Sequence, residues 1–316
     1  MNPIRTLITF GLLSAALCAH AQEQFKTPEA AVDALDKAIS TNDEARLDQL
    51  FGPDYKAFHE GQQADAALAN MRRERFVAGL KEFRSISEAG KDKRVLYVGS
   101  EGWPFPIPIV RKGSGWAFDG KAGIEELRNR LVGANELNAV AALDYYVTAQ
   151  RTYAADDTDS DGVVEYAQRF ASQPGKRDGL YWEDPEDEDG LRSPLGPLLG
   201  LAELAMGAER TAGEPFLGYR FRILTGQGAA AKAGAYDYLV NGHMVGGFAA
   251  VAWPAEYGET GVMTFVINQD GVIYERDLGA KTADAAAAIT KFDPGEGWAA
   301  VDDNNLLGDE KSTASK

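Results

Sequence analysis

A chain of 316 residues with one cysteine, three histidines and a formal net charge of −16 at pH 7 can build two ordinary domains, but neither a disulfide framework nor a histidine-rich metal centre. The acidity is uneven: residues 22–133 carry 17 Lys/Arg and 18 Asp/Glu, a net of −1, whereas residues 134–316 carry 14 and 30, a net of −16. A half that acidic repels phosphate backbones and excludes nucleic acid as a partner; it attracts cations and basic surfaces, or serves solubility alone.

Residues 1–21 read as an export signal. Arg5 supplies a short positive region, residues 7–18 form an apolar stretch, and Ala19-His20-Ala21 is a small-x-small cleavage pattern. The apolar stretch is shorter than the roughly 20 residues a bilayer span requires. Cleavage removes Cys18 and His20, leaving a mature chain with no thiol, no membrane span and only His59 and His243. The expected location is the periplasm or the medium.

Thr27-Pro28-Glu29 marks a helix start, with Thr at the cap and Pro in the first turn. Ala31, Leu35, Ala38 and Ile39 follow at helical spacing. Asn42 opens a second short helix through Leu47, Leu50 and Phe51, and residues 72–83 form a third with Phe76, Leu80 and Phe83 on one face. Residues 94–99 and 103–110 are strand-like, and Pro104, Pro106 and Pro108 make the latter an edge strand or an extended segment. The turn Gly113-Ser114-Gly115 leads into Trp116-Ala117-Phe118-Asp119. Helices followed by a small antiparallel sheet predict an α+β domain over residues 22–133. The stretch AAVDALDKAISTNDEARLDQLF together with GWAFD resembles the cystatin-like or nuclear-transport-factor-like superfamily. That superfamily holds both enzymes and binding modules, so it implies a fold and no activity.

Two helices are expected next, over residues 121–131 and 135–154. In the second, Leu137, Val140, Leu143, Tyr146, Val147, Gln150 and Tyr153 make one long amphipathic surface. The stretch NELNAVAALDYYVTAQRTYA is similar to the membrane-distal half of the long helix in type IV pilins and type II secretion pseudopilins. Residues 246–253, 261–267 and 272–278 read as three consecutive strands, and Gln269-Asp270-Gly271 gives a hairpin signal. With GYRFRIL before them, they resemble the sheet of those soluble domains. The resemblance implies a pilin-like domain over residues 134–300, in which a long helix packs on an antiparallel β-meander. The chain lacks a prepilin site leading directly into a membrane-spanning segment, so it is not expected to assemble into a pilus. Both halves in this order resemble an exported bacterial family, domain of unknown function 2950, which implies no known activity. Residues 191–207 read as a packed loop and short helix, residues 226–234 as a mobile small-residue loop, and residues 301–316 as a disordered tail.

Residues 156–189 concentrate the charge, with 12 Asp/Glu against 3 Lys/Arg. Asp157-Thr158-Asp159-Ser160-Asp161-Gly162 matches the first half of an EF-hand loop, where alternate residues of a tight turn converge their oxygens and glycine permits the bend. In that frame Asp157, Asp159, Asp161, the carbonyl of Val163 and Glu165 are the candidate ligands of a structural calcium ion. The twelfth position is Gln168 rather than the closing Glu, and a carboxylate from residues 183–189 is the substitute ligand. The competing reading is a solvated turn whose Asp side chains bind backbone amides.

Elsewhere the signals are sparse. His243, beside Gly242, reads as a general base or as a half-buried turn histidine, and His59 lies in a polar stretch. There is no Gly-x-Ser-x-Gly elbow and no phosphate-binding glycine loop. Tyr181-Trp182, Trp253-Pro254 and Tyr257 line a carbohydrate or peptide groove or else anchor a sheet. The reading is therefore an exported, non-enzymatic interaction module whose partner is a cell-envelope protein or polymer. The alternative is a carboxylate-dependent hydrolase acting on such polymers, with two acids held across a cleft.

Overall fold

The computed structural model describes residues 22–60, 66–182, 192–196 and 215–302. The expected signal, the acidic run 183–189, most of the apolar loop 191–207 and all but the start of the tail lie outside the described residues. The chain is α+β and divides into two compact units, up to Leu127 and from Arg128 onward.

The first unit opens with α1 (Pro28–Ser40), whose N-cap Thr27 accepts a hydrogen bond from the Ala30 amide at 3.2 Å. Asp43 caps α2 (Glu44–Phe51) in the same way. Asn42, expected to begin this helix, instead turns the chain with φ 53°. A helix not anticipated, α3 (Pro53–Glu60), follows, with Pro53 in its first turn. The next, α4 (Ala66–Glu82), starts earlier than the apolar spacing indicated. It buries Leu80, but Phe83, placed on the same face from sequence, lies beyond the helix end and is 49% exposed.

The sheet of this unit contains β1 (Arg84–Glu88), β2 (Lys93–Val98), β3 (Trp103–Pro104), β4 (Ile109–Lys112) and β5 (Gly115–Phe118), all antiparallel, in the order β1-β2-β4-β5 with β3 also on β2. The proline-rich segment thus forms two strands rather than one. Its two ends pair with opposite ends of β2, Trp103 with Val98 and Ile109 with Arg94. The three prolines supply no amide hydrogens for a continuous ladder between them. Leu35, Leu50, Phe51, Leu96, Ile109 and Phe118 form the core, with the Phe51 and Phe118 rings edge to face at 5.3 Å.

One helix, α5 (Gly120–Tyr153), replaces the two expected and runs 34 residues, about 51 Å. The break expected between residues 131 and 135 is absent because a lone helical glycine, Gly133, costs only about 1 kcal/mol, which packing on either side outweighs. In the second unit Val140, Leu143, Tyr146, Val147, Gln150 and Tyr153 are buried as the amphipathic pattern requires. Leu137 is not; it is 45% exposed. The neighbouring Glu136 occupies the inner side, where Oε1 accepts the Val262 and Met263 amides at 2.8 and 3.0 Å.

Against this helix packs a second, separate antiparallel sheet. Its strands are β6 (Tyr219–Leu224), β11 (Ala249–Pro254), β12 (Met263–Asn268), β13 (Tyr274–Asp277) and β14 (Ala299–Ala300), in the order β14-β13-β12-β11-β6. Residues 249–252 on β11 are fully buried in succession, so both faces of this strand are covered. Small residues there let the helix approach, and the Tyr146 hydroxyl donates to the Ala249 carbonyl at 3.0 Å. Helix α6 (Thr282–Ala288) contacts β11 as well, and Arg222 on β6 donates to the Ala286 and Ile289 carbonyls.

Between β6 and β11 lie β7 (Gly226–Gln227), β8 (Tyr236–Asp237), β9 (Leu239–Val240) and β10 (His243–Met244). In residues 226–234, expected to be a mobile loop, Gln227 is buried and its Nε2 donates to the Gly234 carbonyl at 2.7 Å, while Ala229, Ala230, Lys232 and Ala233 are exposed. Trp182 is buried, Tyr181 and Trp253 pack against the same core, and the Tyr257 hydroxyl donates to Asp277 at 3.2 Å. Of these aromatics, Trp182, Tyr181 and Trp253 thus serve the core.

Candidate metal centre

Helix α5 ends at Tyr153, where the Thr158 hydroxyl donates to the Tyr153 carbonyl at 2.8 Å. The chain then places Asp156, Asp157, Asp159 and Asp161 just past a helix C-terminus. That is the end where the peptide dipoles already present negative partial charge and cations are preferred. The loop is tightly wound. Asp157 accepts the amides of Asp161 at 3.0 Å and Gly162 at 2.9 Å, and Asp161 Oδ1 accepts the Val163 amide at 2.9 Å. Ser160 (φ 62°) and Gly162 (φ 94°) adopt left-handed backbone, and the glycine does so without strain.

Ligand-capable oxygens of Asp157, Asp159 and Asp161 all lie within 4.8 Å of one another. Asp159 is half-buried and its carboxyl is pushed above the usual carboxylate range, first by burial and then by the negative charges of Asp161, Glu165 and Asp157; the Asp161 amide partly offsets this. Asp159 Oδ1 is shielded from solvent and, among the described residues, makes no hydrogen bond.

Glu165, expected as a ligand of the same ion, turns toward a different set of partners. Its side chain is 7% exposed. Oε2 accepts the Met244 amide at 2.5 Å and Oε1 faces His243 Nδ1 at 3.2 Å. Asp161 Oδ2 reaches the same ring nitrogen at 3.3 Å. The predicted ligands therefore divide into two groups sharing Asp161, one of Asp157, Asp159 and Asp161, the other of Asp161, Glu165 and His243. Val163 lies in the loop between them, its amide committed to Asp161.

Sequence reasoning did not place His243 here, 78 residues from Glu165. The signal available was Asn241-Gly242, where positive φ at both residues (52° and 92°) makes a two-residue hairpin between β9 and β10. That turn fixes His243 at the start of a strand. Gln168, which takes the place of the closing EF-hand acid, donates from Nε2 to the Gly242 carbonyl at 2.7 Å and so ties the loop to the hairpin.

With this geometry in hand, comparison with protein-family models finds a match over residues 22–301 to the family described as Protein of unknown function (DUF2950). The chain belongs to this family. No curated protein and no solved structure matches the chain, and neither the resemblance to pilins nor that to cystatin-like domains is confirmed. Among the described residues, no helix of this family member is long and apolar enough to cross a membrane.

The arrangement offers carboxylate oxygens and one imidazole nitrogen to a cation. Among the described residues, no Lys or Arg forms an ion pair with Asp157, Asp159, Asp161 or Glu165. Four acids drawn this close with an imidazole but no Lys or Arg opposite them suit a divalent ion.

Proposed function

We propose that this protein is an exported, non-enzymatic interaction module of the bacterial cell envelope, in which the Asp157–Asp161 loop takes up calcium as a structural clasp. The observation that supports it is the convergence of Asp157, Asp159 and Asp161 oxygens within 4.8 Å at the C-terminal end of α5. One Asp159 oxygen is shielded from solvent and makes no hydrogen bond among the described residues. In this reading the Val163 carbonyl joins the proposed oxygen set, whereas Glu165 is taken up by His243 and the Met244 amide. An ion there cross-links the helix end to the segment that follows, a rigidifying role. The partner in this reading is an envelope protein or polymer.

The competing hydrolase reading calls for two acids facing across a cleft. The cavity of about 360 Å³ beside α6 is lined by Lys291, Thr290, Trp298 and one acid, Asp293. Asp293 Oδ1 already accepts the Ala230 amide at 2.8 Å, a structural use of the carboxylate.

The test is calorimetric and thermal titration of the purified mature protein with calcium. Binding heat and a rise in melting temperature, both reversed by chelator, are the expected result; neither heat nor shift removes the ion from the proposal. Turnover of peptidoglycan or glycans that disappears with an Asp or Glu replacement would overturn the non-enzymatic reading.

A further inference from the structure

The group of Asp161, Glu165 and His243 differs in kind from the acidic loop, because it joins two segments of chain and includes a nitrogen donor. His243 Nδ1 stands 3.2 Å from Glu165 Oε1 and 3.3 Å from Asp161 Oδ2. Charge-assisted N–H···O bonds run about 2.7–2.9 Å, and a single ring nitrogen carries at most one hydrogen for two oxygens. Separations of 3.2 and 3.3 Å lie at the long end of hydrogen bonding and also match the edge of a tetrahedron whose centre is about 2.0 Å from each corner, the ordinary zinc-to-nitrogen and zinc-to-oxygen distance. The three ligand atoms lie within 4.8 Å of one another.

One further observation supports an ion there. Glu165 is nine-tenths buried, and its second oxygen is held by the Met244 amide, the kind of outer contact that orients a metal-bound carboxylate.

We infer that Asp161 Oδ2, Glu165 Oε1 and His243 Nδ1 form a binding site for a divalent transition metal of the zinc class, with water at the fourth corner. Imidazole favours such ions, whereas calcium takes oxygen ligands. The inference rests on the same loop as the calcium proposal, through Asp161, and not on calcium being bound. Its structural effect is to pin the β9–β10 hairpin to the chain leaving α5.

The experiment is calorimetric titration of the full mature chain, stripped with chelator, with zinc chloride and separately with calcium chloride. Wild type, His243→Ala, His243→Gln and Asp157→Asn are compared, and far-UV circular dichroism of each apo protein checks that it is folded. Zinc affinity is expected to fall about 100-fold or more in both His243 variants while the calcium response stays. Asp157→Asn is expected to do the reverse. Cobalt(II)-loaded wild type is expected to show the intense visible absorption of a tetrahedral site, lost in His243→Gln. No zinc heat with wild type, unchanged zinc affinity in a folded His243 variant, or an octahedral cobalt spectrum overturns the inference. Loss of the calcium response alone sinks only the calcium reading.

Discussion

Residues up to Leu127 and residues from Arg128 onward both set helices against a five-stranded antiparallel sheet. Both also pair acids with bases, as Arg128 with Glu259 and Lys291 with Asp237 do in the second, yet among the described residues only the second also gathers acids against one another. In the first unit acids sit opposite bases. Arg46 pairs with Glu23, Arg84 bridges Asp33 and Asp36, Arg94 pairs with Glu88, and Arg111 with Asp92. Arg94 and Arg111 also stack over the Trp116 ring, at 5.0 and 4.5 Å. In the second unit four acids past the end of α5 face one another and a single imidazole. The lesson is that acid content alone says little. An acid opposite an arginine belongs to the surface of a fold, and acids opposite acids at a helix C-terminus ask for a cation.

The comparison breaks most sharply through the two cores. Phe118→Ala and Phe248→Ala each remove a fully buried ring and are expected to cost about 3–5 kcal/mol. In differential scanning calorimetry each should lower the transition of its own unit. If both lower one shared transition, the two units are a single cooperative body. A smaller loss, about 1–3 kcal/mol of overpacking, is expected for Gly120→Ala, because a Cβ there runs into the Phe51 carbonyl oxygen. Gly133→Ala on the same helix meets nothing within 4 Å. It should raise stability by up to about 1 kcal/mol in denaturant titration, and a loss instead would mean the helix is interrupted there in solution.

At the low end, Arg84→Ala removes two exposed ion pairs at 2.9 and 3.3 Å and should change stability by less than about 1 kcal/mol. The charge contrast has a pH signature as well. Asp159 and Glu275 both have carboxyls raised in the folded protein, by burial first and then by neighbouring acids. For acids raised on folding, the native state holds protons that the unfolded chain has released. Stability in chelator therefore falls as pH rises from the ordinary carboxylate range through the folded values. Melting curves across pH 4–7 should show this fall, Asp159→Asn should reduce it, and a bound cation should reverse it. A flat profile would separate the acids from stability altogether.

Much of the architecture was legible from local pattern. The Thr27-Pro28 helix start, the 3.6-residue apolar spacing of α5 and the turn at Asp270-Gly271 each depend on a few neighbouring residues, and each appears in the fold. What failed depended on distant residues. The helix break between residues 131 and 135 was overruled by packing on both sides, and Leu137 gave its inner position to Glu136 because two strand amides needed an acceptor. Gln227, read from sequence only as part of a small-residue loop, is buried because it finds partners in Tyr238 and Gln269.

The same division runs through the candidate site. The run Asp157-x-Asp159-x-Asp161-Gly162 was readable because one turn of backbone sets its geometry, and its oxygens do converge. The sequence by itself determined the α+β class, the charge asymmetry and that acidic turn, all consequences of composition and short-range periodicity. Only the tertiary structure brought His243 to Glu165, because strand pairing at an Asn-Gly turn, 78 residues along the chain, decides what an imidazole meets.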